Sequence, residues 1–308
     1  MAALHLTPIA NEGDHTGSPL RSVNADERLA GCENFLYPTP MNLKSLGYRS
    51  DLIFPKFEGE VTDCGHYLRI RTPQNPSYWW GNFLLFEEPP QEGDFERWMK
   101  LFREEIGTPP QTEHVVFAWD LSEKEAVVEP FLEANFTFDK NVIMTATELH
   151  KPAKFNDRVE MRTLTTNAEF DELLELKALV DRLHDGFEGK DYQVFLARKL
   201  ERYRKMIAAG LGEWFGAYLD GKLVAYMGLF HDGEIARYQN VGTRPEYRRR
   251  GLAGTLTHFV GEYGLQHFGV EHLVIIAEDD YFAKDIYASV GFETTEVVEQ
   301  LERPPQNA

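Results

Sequence analysis

One segment of the chain combines clustered cations with closely spaced glycines. It reads Val241-Gly-Thr-Arg-Pro-Glu-Tyr-Arg-Arg-Arg-Gly-Leu-Ala-Gly254 and joins the end of an apolar strand to an amphipathic helix that begins at about Leu252. The free N–H groups and dipole of a helix start attract an anion, glycines let it approach the backbone, and arginines stay charged at neutral pH. The segment predicts a pyrophosphate site without a metal or a P-loop. A solvated basic turn is the alternative.

A second candidate group is the phenol of Tyr287, in the segment Ala283-Lys-Asp-Ile-Tyr-Ala-Ser-Val-Gly-Phe292. A phenol has a pKa of about 10, so it can donate a proton to a developing thiolate. A core aromatic on one face of a helix is the structural alternative for this residue.

Together the two segments resemble the acetyl-coenzyme A motifs of the GCN5-related N-acetyltransferase (GNAT) family. Arg248, Gly251 and Ala253 match the family pattern Gln/Arg-x-x-Gly-x-Gly/Ala, and residues 283–292 match its A-x-x-x-Y-x-x-x-G-F signature. The resemblance extends from Val159 to the C-terminus in the family's element order. It implies acetyl-CoA as co-substrate and no metal.

The resemblance also implies a role for each matching residue. The backbone of Val241, Gly242 and Thr243 would hydrogen-bond the acetyl and pantetheine groups, and Tyr287 would protonate the leaving thiolate. The pyrophosphate would be wrapped by the segment that follows, namely Arg248, Arg249, Arg250, Gly251, Leu252, Ala253, Gly254 and Thr255. Asp280 stands where family members often place a cofactor-binding Asn, and its carboxylate accepts a hydrogen bond but cannot donate one.

A general base for the amine is not singled out by the sequence. Glu278 closes a buried strand and should point toward the cleft between the strands. Glu234, His231 and His272 are alternatives, and the family often uses a water chain instead of one carboxylate.

The elements that position these residues follow from hydrophobic periodicity and turn signals. From residue 159 onward the order is β-α-α-β-β-β-α-β-α-β, which indicates an α/β fold with a mixed central sheet flanked by helices. Thr166 and Glu169 predict a capping box at the first helix. Asp220-Gly221 and Asp232-Gly233 predict the turns of an antiparallel meander. The resemblance implies the acyl-CoA N-acyltransferase fold.

The chain divides into a polar N-terminal arm (1–34), a first domain (35–150) and a catalytic domain (151–308). The first domain repeats the later part of the same plan. A shift of 158 residues places Gly93 on Gly251 and Glu113-His114 on Glu271-His272. This predicts a tandem of two related domains, with chance similarity as the alternative because few identities are involved.

The first copy lacks the chemical groups of the second. Pro90-Gln91-Glu92 stands opposite the three arginines, and a shift of 156 places Phe131 opposite Tyr287. A proline has no N–H and a glutamate repels phosphate, so we expect no coenzyme A site there. The aromatic run Tyr78-Trp79-Trp80 predicts strand core, or else the lining of a substrate or domain interface.

Charge and composition restrict the partners. Fifty acidic against 32 basic residues give the 308-residue chain a net charge of −18, which disfavours nucleic acid. Residues 1–150 hold 24 acidic and 12 basic residues, net −12. We therefore expect the first domain to offer an acidic wall to a cationic acceptor. The two cysteines, expected to be reduced thiols, exclude a disulfide framework, and no long apolar run or signal segment is found. A cytoplasmic protein is expected.

These observations predict an N-acetyltransferase that transfers an acetyl group from acetyl-CoA to a primary amine of a small molecule or peptide. The alternatives are a catalytically silent coenzyme A-binding sensor or scaffold, and the same fold with a longer acyl chain or an alcohol acceptor. The sequence leaves the oligomeric state open.

Overall fold

The computed structural model describes residues 40–109, 112–184, 186, 189–278 and 283–305, all within one compact unit, Leu36–Ala308. The predicted arm and Cys32 lie outside these residues. The described strands are β1 Glu60–Asp63, β2 Tyr67–Arg71, β3 Phe83–Phe86, β4 Val115–Trp119, β5 Thr137–Ala146, β6 Glu160–Thr163, β7 Gly212–Leu219, β8 Lys222–His231, β9 Ile235–Thr243, β10 His272–Glu278 and β11 Glu293–Arg303. The described helices are α1 Leu46–Asp51, α2 Ile53–Glu58, α3 Asp94–Glu105, α4 Glu129–Glu133, α5 Asn167–His184, α6 Lys190–Ala208, α7 Leu252–Tyr263 and α8 Ala283–Ala288.

The described strands form one mixed sheet in the order β1-β2-β3-β4-β11-β5-β10-β9-β8-β7-β6. Two pairs, β3 with β4 and β9 with β10, are parallel, and the remaining described pairs are antiparallel. Helices cover both faces, and the buried apolar side chains lie between them and the sheet. The predicted α/β class with a mixed central sheet is therefore confirmed.

Local sequence signals produce the expected local structure. The Glu169 carboxylate accepts a hydrogen bond from the Thr166 N–H (2.8 Å), and the Thr166 hydroxyl accepts one from the Glu169 N–H (3.3 Å), which completes the predicted capping box of α5. Asp220 and Gly221 both have positive φ (53° and 76°), as a tight turn between β7 and β8 requires.

The last strands of the two halves are exchanged. β5, from the first half, lies between β11 and β10, whereas β11, from the second half, lies between β4 and β5. The predicted boundary near residue 150 therefore does not divide the molecule into two separate sheets.

The two halves share local features at these strands and at one helix. α3 and α7 each have twelve residues and begin after a left-handed glycine, Gly93 (φ 85°) and Gly251 (φ 77°), 158 residues apart. Across the β5–β11 ladder, Val142 pairs with Val297 and Asn141 pairs with Val298. A shift of 156 residues carries each of these pairs onto the other, so the two strands meet with local twofold symmetry.

Helix α1 is held across the middle of the sheet by carboxylates at its N-terminus. Asp120 accepts hydrogen bonds from the backbone N–H groups of Lys44 (2.7 Å) and Ser45 (2.9 Å), and Glu296 accepts one from Leu46 (2.9 Å). Acidic groups at this end also suit the helix dipole. The arrangement fixes the position of Asp51 at the other end of α1.

The aromatic run does not form the predicted strand. Trp79 begins a short 3-10 turn between β2 and β3, while Phe83 and Phe86 belong to β3 and are buried. Tyr78 and Trp80 instead face a cavity described below. Among the described helices, none has both the length and the apolar character that crossing a membrane requires.

Candidate active site

Strands β9 and β10 separate toward their carboxyl ends. Their parallel ladder covers three residue pairs, from Ile235–His272 to Arg237–Val274. Beyond it, β9 continues beside β8 and β10 continues beside β5 as far as the pair of Glu278 with Asn141. A wedge-shaped gap therefore opens between two otherwise continuous strands, and its walls carry backbone groups that no ladder between β9 and β10 uses.

A bulge lies on the β9 side of this gap. Asn240 and Val241 together stand opposite Met227 of β8, and Asn240 has φ 47°. A bulge leaves one residue without its ladder partner and re-aims the backbone. The next residue, Gly242, lies against Tyr226, whose ring would be 2.2 Å from a Cβ atom at this position. The predicted cofactor-binding residues Val241, Gly242 and Thr243 thus form the irregular edge of the gap.

Helix α7 follows this edge after residues 244–251, and its N-terminus is open. Its first helical hydrogen bond runs from the Thr255 N–H to the Gly251 carbonyl (3.0 Å), and no side-chain hydrogen bond caps the helix. The N–H groups of Leu252, Ala253 and Gly254 precede that bond, so they are available to an anion.

Residues 154–156 hold the loop before α7 in place by hydrogen bonds. The Lys154 amine donates to the Arg249 carbonyl, and the Asn156 side chain donates to the Arg250 carbonyl (2.9 Å). The hydroxyl of the fully buried Thr255 accepts the Asn156 N–H (2.8 Å). Thr255 therefore anchors this loop through its side chain, and its N–H serves the helix.

The three arginines extend from the loop into solvent. Arg250 donates to the Glu246 carbonyl (3.1 Å) and lies over the Tyr247 ring at 4.9 Å. Arg248 makes a long contact with the Thr243 carbonyl (3.4 Å). All three side chains are exposed, so they can reorient toward a phosphate.

Tyr287 belongs to α8, which packs against the start of α7. Its side chain is 6% exposed and packs in the same apolar cluster as Leu252. A Cβ atom at Gly254 would be 3.6 Å from Ile286, which shows how closely α8 approaches the first turn of α7. The helix that carries the predicted proton donor therefore packs against the first turn of the helix that carries the predicted anion site. Asp280 lies outside the described residues.

The candidate bases separate into two groups. Glu278 is the exposed last residue of β10 and, by strand alternation, faces the same side as Ile276. Glu234 and His272 flank the start of the β9–β10 ladder, and His231 pairs with Ala236 beside it. Only Glu278 among the four lies at the open end of the gap.

Sequence reasoning did not identify the cavity that adjoins this gap. We call it the central cavity; its volume is about 220 Å³. It is lined by residues from both halves of the chain, namely Tyr48, Asp51, Tyr78, Trp80, Asn141, Lys199, Arg237, Gln239, Ile276, Val298 and Gln300. The one sequence signal was the pair Arg237 and Gln239 on one face of β9, whose opposite face carries the buried Ala236 and Tyr238.

The central cavity contains charged groups that are partly buried. Arg237 and Asp51 form an ion pair (3.1 Å), and Gln239 accepts a hydrogen bond from Tyr203 (3.0 Å). Burial raises the pKa of Asp51 above its usual value, although the Arg237 guanidinium acts to lower it. Burial, with the positive charges of Lys177 and Arg202, lowers the pKa of Lys199 to about 7.

The expected acidic wall is not found in this cavity. Of the described lining residues from the first half, only Asp51 carries a carboxyl group, and Arg237 pairs with it. The other described acidic residues of the first half therefore lie outside this cavity, although that half does contribute five lining residues.

Comparison with known proteins identifies the part of the chain that carries these features. Residues 177–292 match the model of the Acetyltransferase (GNAT) family. They form a GNAT domain. The matched range includes the gap, the open start of α7 and Tyr287. The match to this family supports acyltransferase activity. No curated protein matches the sequence.

Solved structures share the fold of this GNAT domain and of the residues before it. A functionally unknown conserved protein from Staphylococcus epidermidis ATCC 12228 is 16% identical over 81% of this chain and 95% of its own (TM-score 0.61). A GCN5-related N-acetyltransferase from Kribbella flavida is 15% identical over 83% and 93% (TM-score 0.59), and one from Sphaerobacter thermophilus is 15% identical over 82% and 85% (TM-score 0.52). Because residues 151–308 are only half of the chain, the likeness extends into the first half.

The first half has no equivalent gap beside its own parallel strands. β3 and β4 stay paired to their last residues, Phe86 with Trp119, and the Asp120 N–H extends the ladder to the Phe86 carbonyl (2.9 Å). The start of α3, like that of α7, has no side-chain cap, but the Asp94 carboxylate accepts the Gln91 N–H (2.9 Å) and places a negative charge there.

Proposed function

We propose that this protein is an acetyl-CoA-dependent N-acetyltransferase that acts on a small primary amine. The observation that carries the proposal is the open N-terminus of α7 directly beside the β9–β10 gap, which leads into the central cavity. The family generally uses acetyl-CoA and acts on amine acceptors, and the backbone and arginines of residues 248–254 have the chemistry to hold a pyrophosphate.

Each step of the proposed reaction can then be assigned to a group of this chain. Acetyl-CoA supplies the acetyl group, which an uncharged amine attacks. Backbone N–H groups at the Asn240–Val241 bulge stabilise negative charge on the carbonyl oxygen. Glu278, alone or through water, removes the proton that the amine releases, and Tyr287 donates one to the departing thiolate.

We further propose that the first half is a degenerate GNAT copy without a coenzyme A site. Equal helix lengths after Gly93 and Gly251, and the twofold register of β5 with β11, support common ancestry of the halves. The paired ends of β3 and β4, the negative charge of Asp94 at the start of α3, and Phe131 in place of a tyrosine support the loss of the site.

Two measurements test the proposal. Calorimetric titration should give one acetyl-CoA site per chain, and thiol release should depend on an added amine. Tight binding of acetyl-CoA without thiol release for any amine would favour a sensor or scaffold instead. Two sites per chain would contradict the silent first half.

A further inference from the structure

The central cavity holds more positive than negative charge. Among the described residues that line it, Arg237 and Lys199 are cationic and Asp51 is the one carboxylate. Lys199 forms no ion pair with a described residue and lies over the rings of Tyr78 (5.0 Å) and Phe195 (5.8 Å). One positive charge in the lining therefore has no carboxylate partner among the described residues.

A third cation, Arg202, packs behind the residues that line the central cavity. Arg202 is 3% exposed, and its guanidinium lies 5.3 Å from the ring of Tyr78, which lines the cavity. Its Nε and Nη2 atoms have no hydrogen-bond acceptor in the described part of the chain, and neither does Nε of Arg237. Buried guanidinium groups are normally paired, because leaving a charge without a partner in a low-dielectric site is costly.

We infer that the acceptor is an amine that also carries a carboxylate, and that this carboxylate binds beside Lys199 and Arg237. The inference rests on the proposed function. Gln239 and Ile276 line the cavity just beyond the last β9–β10 pair, so an acceptor anchored here directs its amine into the gap. A volume of about 220 Å³ is that of about seven water molecules, which suits a small amino acid rather than a peptide.

The lowered pKa of Lys199 agrees with this assignment. Burial, and after it neighbouring positive charge, disfavours the protonated amine, and the charge of a bound anion would favour it. Replacement of Lys199 by a neutral residue should not destabilise the fold, because the folded state already disfavours its charge. Lys199→Gln is therefore a usable variant.

Matched acceptors test the inference. Acetylation rates are measured for α-, β- and γ-amino acids and for the same compounds with the carboxylate replaced by a carboxamide. We expect kcat/KM to be at least about tenfold higher for a carboxylate, the factor that corresponds to one charge-assisted hydrogen bond. In Lys199→Gln, we expect a higher KM for the carboxylate acceptor and unchanged kinetics for the carboxamide. The preference for the carboxylate should therefore fall at least about tenfold.

Lys100→Gln, on the exposed face of α3, is the matched control and should change neither acceptor. Equal or better turnover of the carboxamides, or no turnover of any carboxylate-bearing amine, overturns the inference. An equal loss with both acceptors in Lys199→Gln also overturns it. Acetyl-CoA titration without an amine reports on the proposed function separately, so the two failures are distinguishable.

Discussion

Gly93 and Gly251 occupy equivalent left-handed positions before α3 and α7, but only Gly251 is enclosed. A Cβ atom at Gly251 would lie 2.1 Å from the Lys154 carbonyl oxygen, whereas at Gly93 no atom lies within 4 Å. Gly93 is therefore required only for its left-handed backbone conformation. Gly251 is required both for that conformation and for the close packing of the candidate anion site.

Gly93→Ala should cost about 1–2 kcal/mol, the penalty of a left-handed alanine, and leave acetyl-CoA affinity unchanged. Gly251→Ala should cost more, because the loop must move away from Lys154, and should weaken acetyl-CoA at least about tenfold. Urea unfolding and calorimetry measure the two effects. Equal losses in both variants would mean that the packing at Gly251 serves no binding purpose.

Charge reversal at the start of α7 should greatly weaken coenzyme A binding. In Arg249→Glu with Arg250→Glu, two exposed cations become repulsive to phosphate, so we expect affinity to fall at least about 100-fold in calorimetry. Arg97→Glu with Lys100→Glu on α3 is the matched control, and it should bind normally. Retained affinity in the first variant would place the pyrophosphate elsewhere.

The sequence predicted what depends on local signals. The capping box at Thr166 and the left-handed positions at Asp220-Gly221 are specified by residues within a few positions of one another, and the structure has them. The exchange of β5 and β11 could not be predicted, because each strand fits either neighbouring edge by hydrophobic pattern alone.

The central cavity was also beyond the reach of local reasoning. Its ion pair joins Asp51 to Arg237 across 186 positions of the chain, and Lys199 comes from a third element. Net charge was misleading here, since the acidity of the first half does not describe the few residues that face the cavity.

Tyr287→Phe should lower kcat by about 10²–10⁴ while acetyl-CoA affinity changes little. The ring is kept, and the fully buried Phe131 at the corresponding position of the first half shows that a phenyl ring packs well there. Tyr238→Phe is the control, because that phenol donates to the Thr257 carbonyl (3.0 Å) and serves structure. Unchanged single-turnover rates in Tyr287→Phe would leave Tyr287 as a core aromatic.

Residues 151–308 alone should not fold into the native GNAT domain. Without the first half, β10 loses its ladder with β5, and β11 loses both of its described neighbours, β4 and β5. Unpaired strand edges are costly when buried and promote aggregation when exposed. We expect poor amide dispersion in NMR spectra and no cooperative urea transition, with recovery when residues 36–150 are added. A fragment that folds alone would mean that β11 can replace β5 beside β10.

Glu302, next to the central cavity, should make stability depend on pH in an unusual direction. Its Oε1 atom accepts hydrogen bonds from Trp80 (3.0 Å) and Gln300 (3.0 Å), and burial, with the negative charge of Asp139, raises its pKa to about 7. Because the folded pKa exceeds the unfolded value of about 4.3, the protonated acid contributes stability that is present below pH 4 and lost between about pH 4 and 7.

Glu302→Gln stays neutral and can still accept the Trp80 hydrogen bond, so it should not lose stability over this range. We expect its Tm to exceed that of the wild type at pH 8 and the difference to shrink or reverse at pH 4. Glu123→Gln, an exposed carboxylate after β4, is the control and should follow the wild type. Parallel Tm profiles for Glu302→Gln and the wild type would mean that Glu302 is ionised at neutral pH, and its negative charge would then offset one cation of the cavity wall.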